Sequence, residues 1–271
     1  MNSNCALRPP RPYFLMVLLC LTGYVSYFLC KLVFVLAGAP VLLVLTPFPR
    51  VRYRFLQITL RGFLSVFVRG WLPALGLYRI VEVSGLERAL AVGPVVLAAN
   101  HRSFLDSLLL LSLVPRLGVV IKARYTSQPI YIVLTRTFDM VSVEAGRLSS
   151  VAAALAASRR ILSAGRRLLV YPEGTRARSG RLQPFHPMAF EVAFDAGVPV
   201  VPVIIHSTVP IMAKVPGSVF PRQRVEYRIR FLDAETRLPD DTADSLSDRV
   251  YRRMARELKM LDAGTVWENA N

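Results

Sequence analysis

Apolar and polar positions divide the chain into two unlike parts. From Tyr13 to Thr46 the residues are apolar almost without interruption, 34 positions that carry one charge, Lys31. Such a run exceeds a single membrane span of about 20 residues and falls short of two spans plus a turn. It predicts a re-entrant or shallow helical hairpin, with Lys31 near the tip or snorkelling to the interface. From Val51 to Trp71, the bases Arg54, Arg61 and Arg69 recur among Phe55, Leu56, Phe63, Leu64, Phe67 and Trp71. That pattern suits an amphipathic helix at an anionic bilayer surface, with a core-packed helix as the competing reading.

Beyond residue 78, short β-rich runs alternate with helical stretches. Strands are predicted near 79–83, 95–99, 118–122, 140–143, 167–171, 199–205 and 225–231. Helices are predicted near 104–114, 127–137, 148–164, 187–196 and 245–261, with Gly165 and Gly197 as C-terminal stops. The alternation implies an α/β domain, a mostly parallel or mixed sheet of about seven strands flanked by helices. Val225 to Phe231 alternates apolar residues with charges, which predicts an edge strand with one wet face. The expected organisation is a membrane anchor over 1–50, an interfacial helix over 51–78 and the α/β domain over 79–271.

Charge sharpens this division. There are 34 Lys and Arg against 18 Asp and Glu, a formal net charge of +16, and residues 1–81 hold nine bases and no acid. At 53% hydrophobic and a mean hydropathy of +0.41, the chain is too apolar for a disordered basic tail. After residue 46, charges recur too often for a further span, which argues against a polytopic transporter. Arg8 and Arg11 precede the apolar run and Arg50, Arg52 and Arg54 follow it, so both flanks are expected on the cytoplasmic side of the inner (plasma) membrane. The triplet Ala37-Gly38-Ala39 superficially resembles a signal-peptidase site, but the run is too long for an h-region of about 7–15 residues. An uncleaved anchor is the expectation.

Several chemistries are excluded. Cys5, Cys20 and Cys30 all lie near the amino terminus, so a disulfide framework or cysteine zinc site for the α/β part is ruled out. His101, His186 and His206 are the only imidazoles, and no H-E-x-x-H spacing joins them, so no metal site is expected. P-loop, dinucleotide and G-x-S-x-G signatures are missing. No nucleic-acid motif accompanies the charge, so nucleic acid is not an expected partner.

Two loops stand where an open α/β sheet binds ligands, outside the carboxyl ends of strands. Asn100-His101-Arg102-Ser103-Phe104-Leu105-Asp106 follows the strand Val95–Ala99. A histidine five residues before an aspartate across a helix start can be oriented by it as a general base. Ser103 and Asp106 equally match an N-terminal capping box, so the residues alone leave both roles open. Tyr171 to Arg181 follows the strand 167–170 and holds Arg176, Arg178 and Arg181 beside Gly174 and Gly180. Guanidinium groups bind phosphate through two parallel hydrogen bonds, so this loop reads as an anion cradle in which Glu173 orients an arginine.

Together the loops resemble the glycerolipid acyltransferase family of the 1-acylglycerol-3-phosphate acyltransferase (PlsC-like) type. The resemblance covers roughly residues 79–210: an N-H-x-x-x-x-D block at Asn100–Asp106, an E-G-T-R block at Glu173–Arg176, Lys122 after the third strand and the run Val198–Val203. It implies an enzyme that moves a fatty acyl group from acyl-CoA or acyl-carrier protein to the hydroxyl of a lysolipid held in membrane lipids. Most directly this is 1-acyl-sn-glycerol 3-phosphate, acylated to phosphatidate. His101 and Asp106 would be catalytic; Lys122, Arg147, Glu173, Gly174, Thr175, Arg176 and Arg178 would bind substrate; no cofactor is implied. No cysteine or G-x-S-x-G serine is placed to form an acyl-enzyme, and Ser103 is the only nearby nucleophile.

The sequence departs from the family pattern in two places. Where the second block usually ends in Asp or Asn followed by Arg, this chain has Glu144 and Ala145, with Arg147 the nearest base; and Pro187-Met188 stands where Lys or Arg and Gly are common. Both touch the expected phosphate site, which keeps a phosphate-free lysolipid as an alternative acceptor. A lipid hydrolase using the same His and Asp is a remoter alternative.

Overall fold

A computed structural model describes residues 12–126, 139–177 and 181–263. The helix α1, Tyr13–Val44, is followed by α2, Pro49–Leu64, which continues through a π-helical segment, Ser65–Trp71, and a last turn at Leu72–Ala74. The α/β part then runs β1 (Tyr78–Ser84), α3 (Leu86–Ala91), β2 (Val96–Ala99), α4 (Leu105–Leu113), β3 (Leu117–Lys122) and β4 (Val141–Val143). It ends with α5 (Leu148–Ser163), β5 (Arg167–Val170), α6 (Met188–Ala196), β6 (Val200–Ser207), β7 (Val225–Phe231) and α7 (Ala243–Asp262). The sequence foresaw each of these except α3; the helix predicted over 127–137 lies outside the described residues.

The seven strands form one mixed sheet in the order β1-β7-β6-β2-β5-β3-β4. Five of them, β6, β2, β5, β3 and β4, run parallel, and β7 turns antiparallel to β6 with β1 parallel to β7. Period-two alternation sorts the side chains to two cores. Leu97, Ala99, Val201 and Val203 face the layer that includes α2 and α4, whereas Val96, Ala98, Val200 and Ile204 face α5, α6 and α7. The central strands are buried on both faces, as parallel strands between helical layers must be.

Two expectations are corrected. β7 is not an edge strand, because β1 covers its outer side. Its charges meet ion-pair partners: Glu226 binds Arg79 at 2.5 Å, and Arg230 binds Glu82 of β1 at 2.7 Å and Glu257 of α7 at 3.0 Å. The second correction concerns the apolar run, which forms one helix through position 31 and not a hairpin folded within itself.

The middle of α1 meets the domain where Trp71 Nε1 donates to Ser26 Oγ at 2.9 Å and the rings of Tyr27 and Phe67 lie 5.7 Å apart. Residues 45–48 form the turn that joins α1 to α2. Apolar side chains crowd that turn: Leu43 is 75% exposed, Val44 73% and Phe48 60%. Nearer the domain, Leu60, Leu64, Phe67 and Val68 are buried and Arg61 donates to the Leu113 carbonyl, so this half of the predicted interfacial helix is core-packed against α4.

Candidate active site

Because β6, β2, β5, β3 and β4 are parallel, the loops at their carboxyl ends gather along one margin of the sheet. The histidine loop leaves β2 at Asn100, whose buried side-chain amide donates to the Ile205 carbonyl at 2.9 Å and accepts from the Ile205 N–H at 2.7 Å. His101 Nδ1 then stands 3.0 Å from Asp106 Oδ2. The same oxygen accepts the backbone N–H groups of Arg102 at 2.8 Å and Ser103 at 2.7 Å. The capping-type role and the histidine-orienting role, alternatives in the sequence, are combined on one atom.

Asp106 is fully buried, and the His101 side chain is 19% exposed. A carboxylate only accepts, so it selects the tautomer with the proton on Nδ1 and leaves Nε2 with its lone pair on the side away from the carboxylate. The Tyr171 ring stacks on the imidazole at 4.1 Å between centroids, and its hydroxyl accepts from Ser107 Oγ at 3.0 Å. Burial, reinforced by the Asp106 charge, pushes the Tyr171 phenol well above its ordinary range, so this ring acts as a neutral wall.

Among the described residues, the hydrogen-bond partners of Glu173 are backbone N–H groups and not an arginine. Oε1 accepts the N–H of His101 at 2.7 Å, Oε2 accepts that of Gln183 at 2.8 Å, and the residue is 3% exposed. Burial pushes its carboxyl up to about 7, against the opposing pull of those two hydrogen bonds. The two motif loops meet a second time where Ala177 N–H donates to the His101 carbonyl at 2.8 Å. Gly174 has φ +62°, and a Cβ there would come within 2.9 Å of the His186 ring, so the turn needs glycine on both counts.

Cations from three loops converge on the margin. Arg176 Nη1 donates to the Met212 carbonyl at 2.8 Å, and Lys214 Nζ donates to Thr175 Oγ1 at 2.7 Å. Arg124 donates to the Tyr125 hydroxyl at 3.2 Å. That bond, aided by the charges of Arg124, Arg176 and Lys214, holds the Tyr125 phenol below its usual range. Lys122 is exposed at the end of β3. Arg147 is not brought to the histidine loop: it caps α5 beside the edge strand β4, three strand spacings or roughly 14 Å from β2, and pairs with Glu144 at 3.3 Å. Arg178 lies outside the described residues. Met188 packs on the core between the sheet and α5–α7, so that departure from the family pattern belongs to the core.

Sequence reasoning missed a network behind the histidine loop. The Arg102 guanidinium, 2% exposed, binds both carboxylate oxygens of Asp262 at 2.8 and 2.5 Å, and His206 Nε2 lies 3.3 Å from the same carboxylate. Burial pushes the Asp262 carboxyl up, but His206 and Arg102 outweigh it and hold it below the usual range. Lys214 was missed as well. On the other side, an apolar cavity of about 60 Å³ abuts the loop, lined by Gly23 and Tyr27 of α1, Phe67, Phe104, Leu105 and Met212 among others.

The Acyltransferase family profile matches residues 80–206, the span that contains both motif loops. Over that span the chain is similar to the Acyltransferase family. It is 32% identical over 186 residues to the 1-acyl-sn-glycerol-3-phosphate acyltransferase alpha of Homo sapiens, covering 64% of this chain and 62% of that one. The Bos taurus counterpart is likewise 32% identical, with 64% and 61% covered. The chain thus spans about three-fifths of the length of these relatives. In fold it matches the crystal structure of the 1-acyl-sn-glycerophosphate (LPA) acyltransferase, PlsC, from Thermotoga maritima, with a TM-score of 0.70 at 20% identity over 91% of this chain and 96% of that one.

Proposed function

We propose that this protein is an acyltransferase that transfers a fatty acyl group from the thioester of acyl-CoA or acyl-carrier protein to the free hydroxyl of 1-acyl-sn-glycerol 3-phosphate. The observation that carries the reading is the His101–Asp106 contact at 3.0 Å, with a fully buried carboxylate anchored by two backbone N–H groups. His101 Nε2 takes the proton of the acceptor hydroxyl as its oxygen attacks the thioester carbonyl carbon. The tetrahedral intermediate collapses with cleavage of the C–S bond, and the imidazolium returns the proton to the departing thiolate. Asp106 keeps the ring in its productive tautomer and stabilises the imidazolium. Arg176 and the neighbouring cations receive the acceptor phosphate, and the apolar cavity beside Phe104 receives part of an acyl chain.

The apolar helix α1 supports a membrane location. The segment Tyr13–Cys30 is long and apolar enough to cross a bilayer, and the exposed apolar turn after α1 is followed by Arg50, Arg52 and Arg54. Basic flanks favour the cytoplasmic face of the membrane. This arrangement lets a lipid acceptor reach His101 at headgroup depth.

One assay panel tests the proposal: purified protein with labelled acyl-CoA or acyl-carrier protein, and lysophosphatidate beside a phosphate-free lyso-aminolipid. Preference for lysophosphatidate, abolished by His101→Ala in a folded protein, is expected. Release of free fatty acid without a thioester donor, or transfer only to the phosphate-free acceptor, would overturn it.

A further inference from the structure

Two cations usual in the family's phosphate region are missing, at Ala145 and at Pro187, and Arg147 is held apart on the edge strand. We propose that Lys214, in the loop between β6 and β7, is a specificity-determining residue that binds the acceptor's phosphate together with Arg176. This rests on the phosphate-acceptor reading above and deepens it.

The geometry ties three loops at one point. The Met212 carbonyl accepts both the Phe104 N–H of the histidine loop, at 3.2 Å, and the Arg176 guanidinium, at 2.8 Å. Two residues on, Lys214 reaches back to Thr175, the neighbour of Arg176, at 2.7 Å. Each cation is therefore fastened to a neutral oxygen of the other's loop. Two positive charges set side by side on a turn repel, and a dianionic phosphate between them converts that repulsion into binding.

The loop that carries Lys214 is stiff. Met212 N–H donates to the Ser218 carbonyl at 2.7 Å, Ser218 Oγ donates to the Ala213 carbonyl at 2.9 Å, and Ser218 is 2% exposed. Met212 itself holds φ +48°, a left-handed conformation rare for a non-glycine residue. A braced loop keeps the lysine's backbone in place, so little ordering is left for the moment of binding. Lys214 also explains how the chain can carry alanine at 145: the charge comes from across the site, on the β6 side.

The test compares the full chain in detergent micelles with Lys214→Met, Lys214→Arg and Thr175→Val, using acyl-CoA with lysophosphatidate or a phosphate-free lyso-aminolipid. For Lys214→Met the expected result is a KM for lysophosphatidate raised about 10- to 100-fold with kcat nearly unchanged, the worth of one charged contact. Lys214→Arg should recover most of the loss, and Thr175→Val, which removes the seat and keeps the charge, should show a smaller rise. Inorganic phosphate should compete with lysophosphatidate more weakly in Lys214→Met than in the wild type. If the wild type prefers lysophosphatidate yet Lys214→Met leaves its KM unchanged, or loses kcat alone, the Lys214 assignment falls and the phosphate reading stands. If the wild type acylates only the phosphate-free acceptor, both fall.

Discussion

Glu173 holds His101 by its backbone, with Oε1 accepting the histidine N–H at 2.7 Å while Oε2 takes that of Gln183. The acid of the E-G-T-R block thus fixes where the histidine of the other block sits. Glu173→Gln should leave one buried N–H facing an amide NH₂. A loss of about 1–3 kcal/mol of stability is expected, with kcat reduced and the KM for the acceptor little changed. Denaturant melts beside initial rates decide this; a selective rise in KM would return Glu173 to an arginine-orienting role.

The raised Glu173 carboxyl also predicts a pH trend. Between its ordinary 4.5 and about 7, the folded state retains a proton that the unfolded chain has released. Stability from this group is complete below that window and declines as pH rises through it. Melting temperatures over pH 4.5–7 should show a downward component in the wild type that is absent in Glu173→Gln.

Asp106→Asn keeps an oxygen for the three donors and removes the negative charge that supports an imidazolium. We expect kcat to fall at least about a hundredfold. Because the same atom braces the loop, stability should fall too, by about 1–2 kcal/mol. Loss of stability with turnover preserved would reduce Asp106 to a cap.

Asp262→Ala should leave the Arg102 guanidinium buried beside His206 without its carboxylate, at a cost of about 3–5 kcal/mol in chemical denaturation. Since the Asp262 carboxyl is held below its ordinary 3.8, its contribution is present above that value and vanishes as pH falls through the lower, folded-state value. Arg102→Met combined with Asp262→Ala should recover part of the loss, a coupling that a double-mutant cycle measures.

At the turn between α1 and α2, replacing Leu43 and Val44 by Asp should weaken partition into anionic vesicles without moving the melting temperature, because both side chains are exposed. Neutralising Arg50, Arg52 and Arg54 should cost about 1 kcal/mol of vesicle affinity per base and flatten its salt dependence. Unchanged partition in both variants would remove this turn from the membrane contact.

The legible part of the molecule was that written locally. His101 and Asp106 lie five positions apart, on the loop after β2 and the first turn of α4, and strand periodicity located every strand of the sheet. What stayed hidden depends on partners far along the chain. Asp262 is 160 residues from Arg102, and nothing around position 262 marks it as an anchor. Alternating charge in β7 could not tell water from the ion pairs offered by Glu82 and Glu257. Hydropathy located the apolar run but not its turn, since a helix can carry polar positions such as Thr22 and Ser26 wherever a backbone carbonyl or Trp71 receives them.

Asn100 has one further consequence. Its side-chain amide offers Ile205 the same donor and acceptor that a peptide group of the next residue in β2 would offer. The ladder therefore extends one rung beyond the point where the main chain leaves it, and the rung is side chain. That branching frees the backbone to climb away toward His101 while β6 keeps its alignment. A carboxylate in its place would set an oxygen against the Ile205 carbonyl, so the amide works as a register pin, and the height of the histidine above the sheet is measured from it.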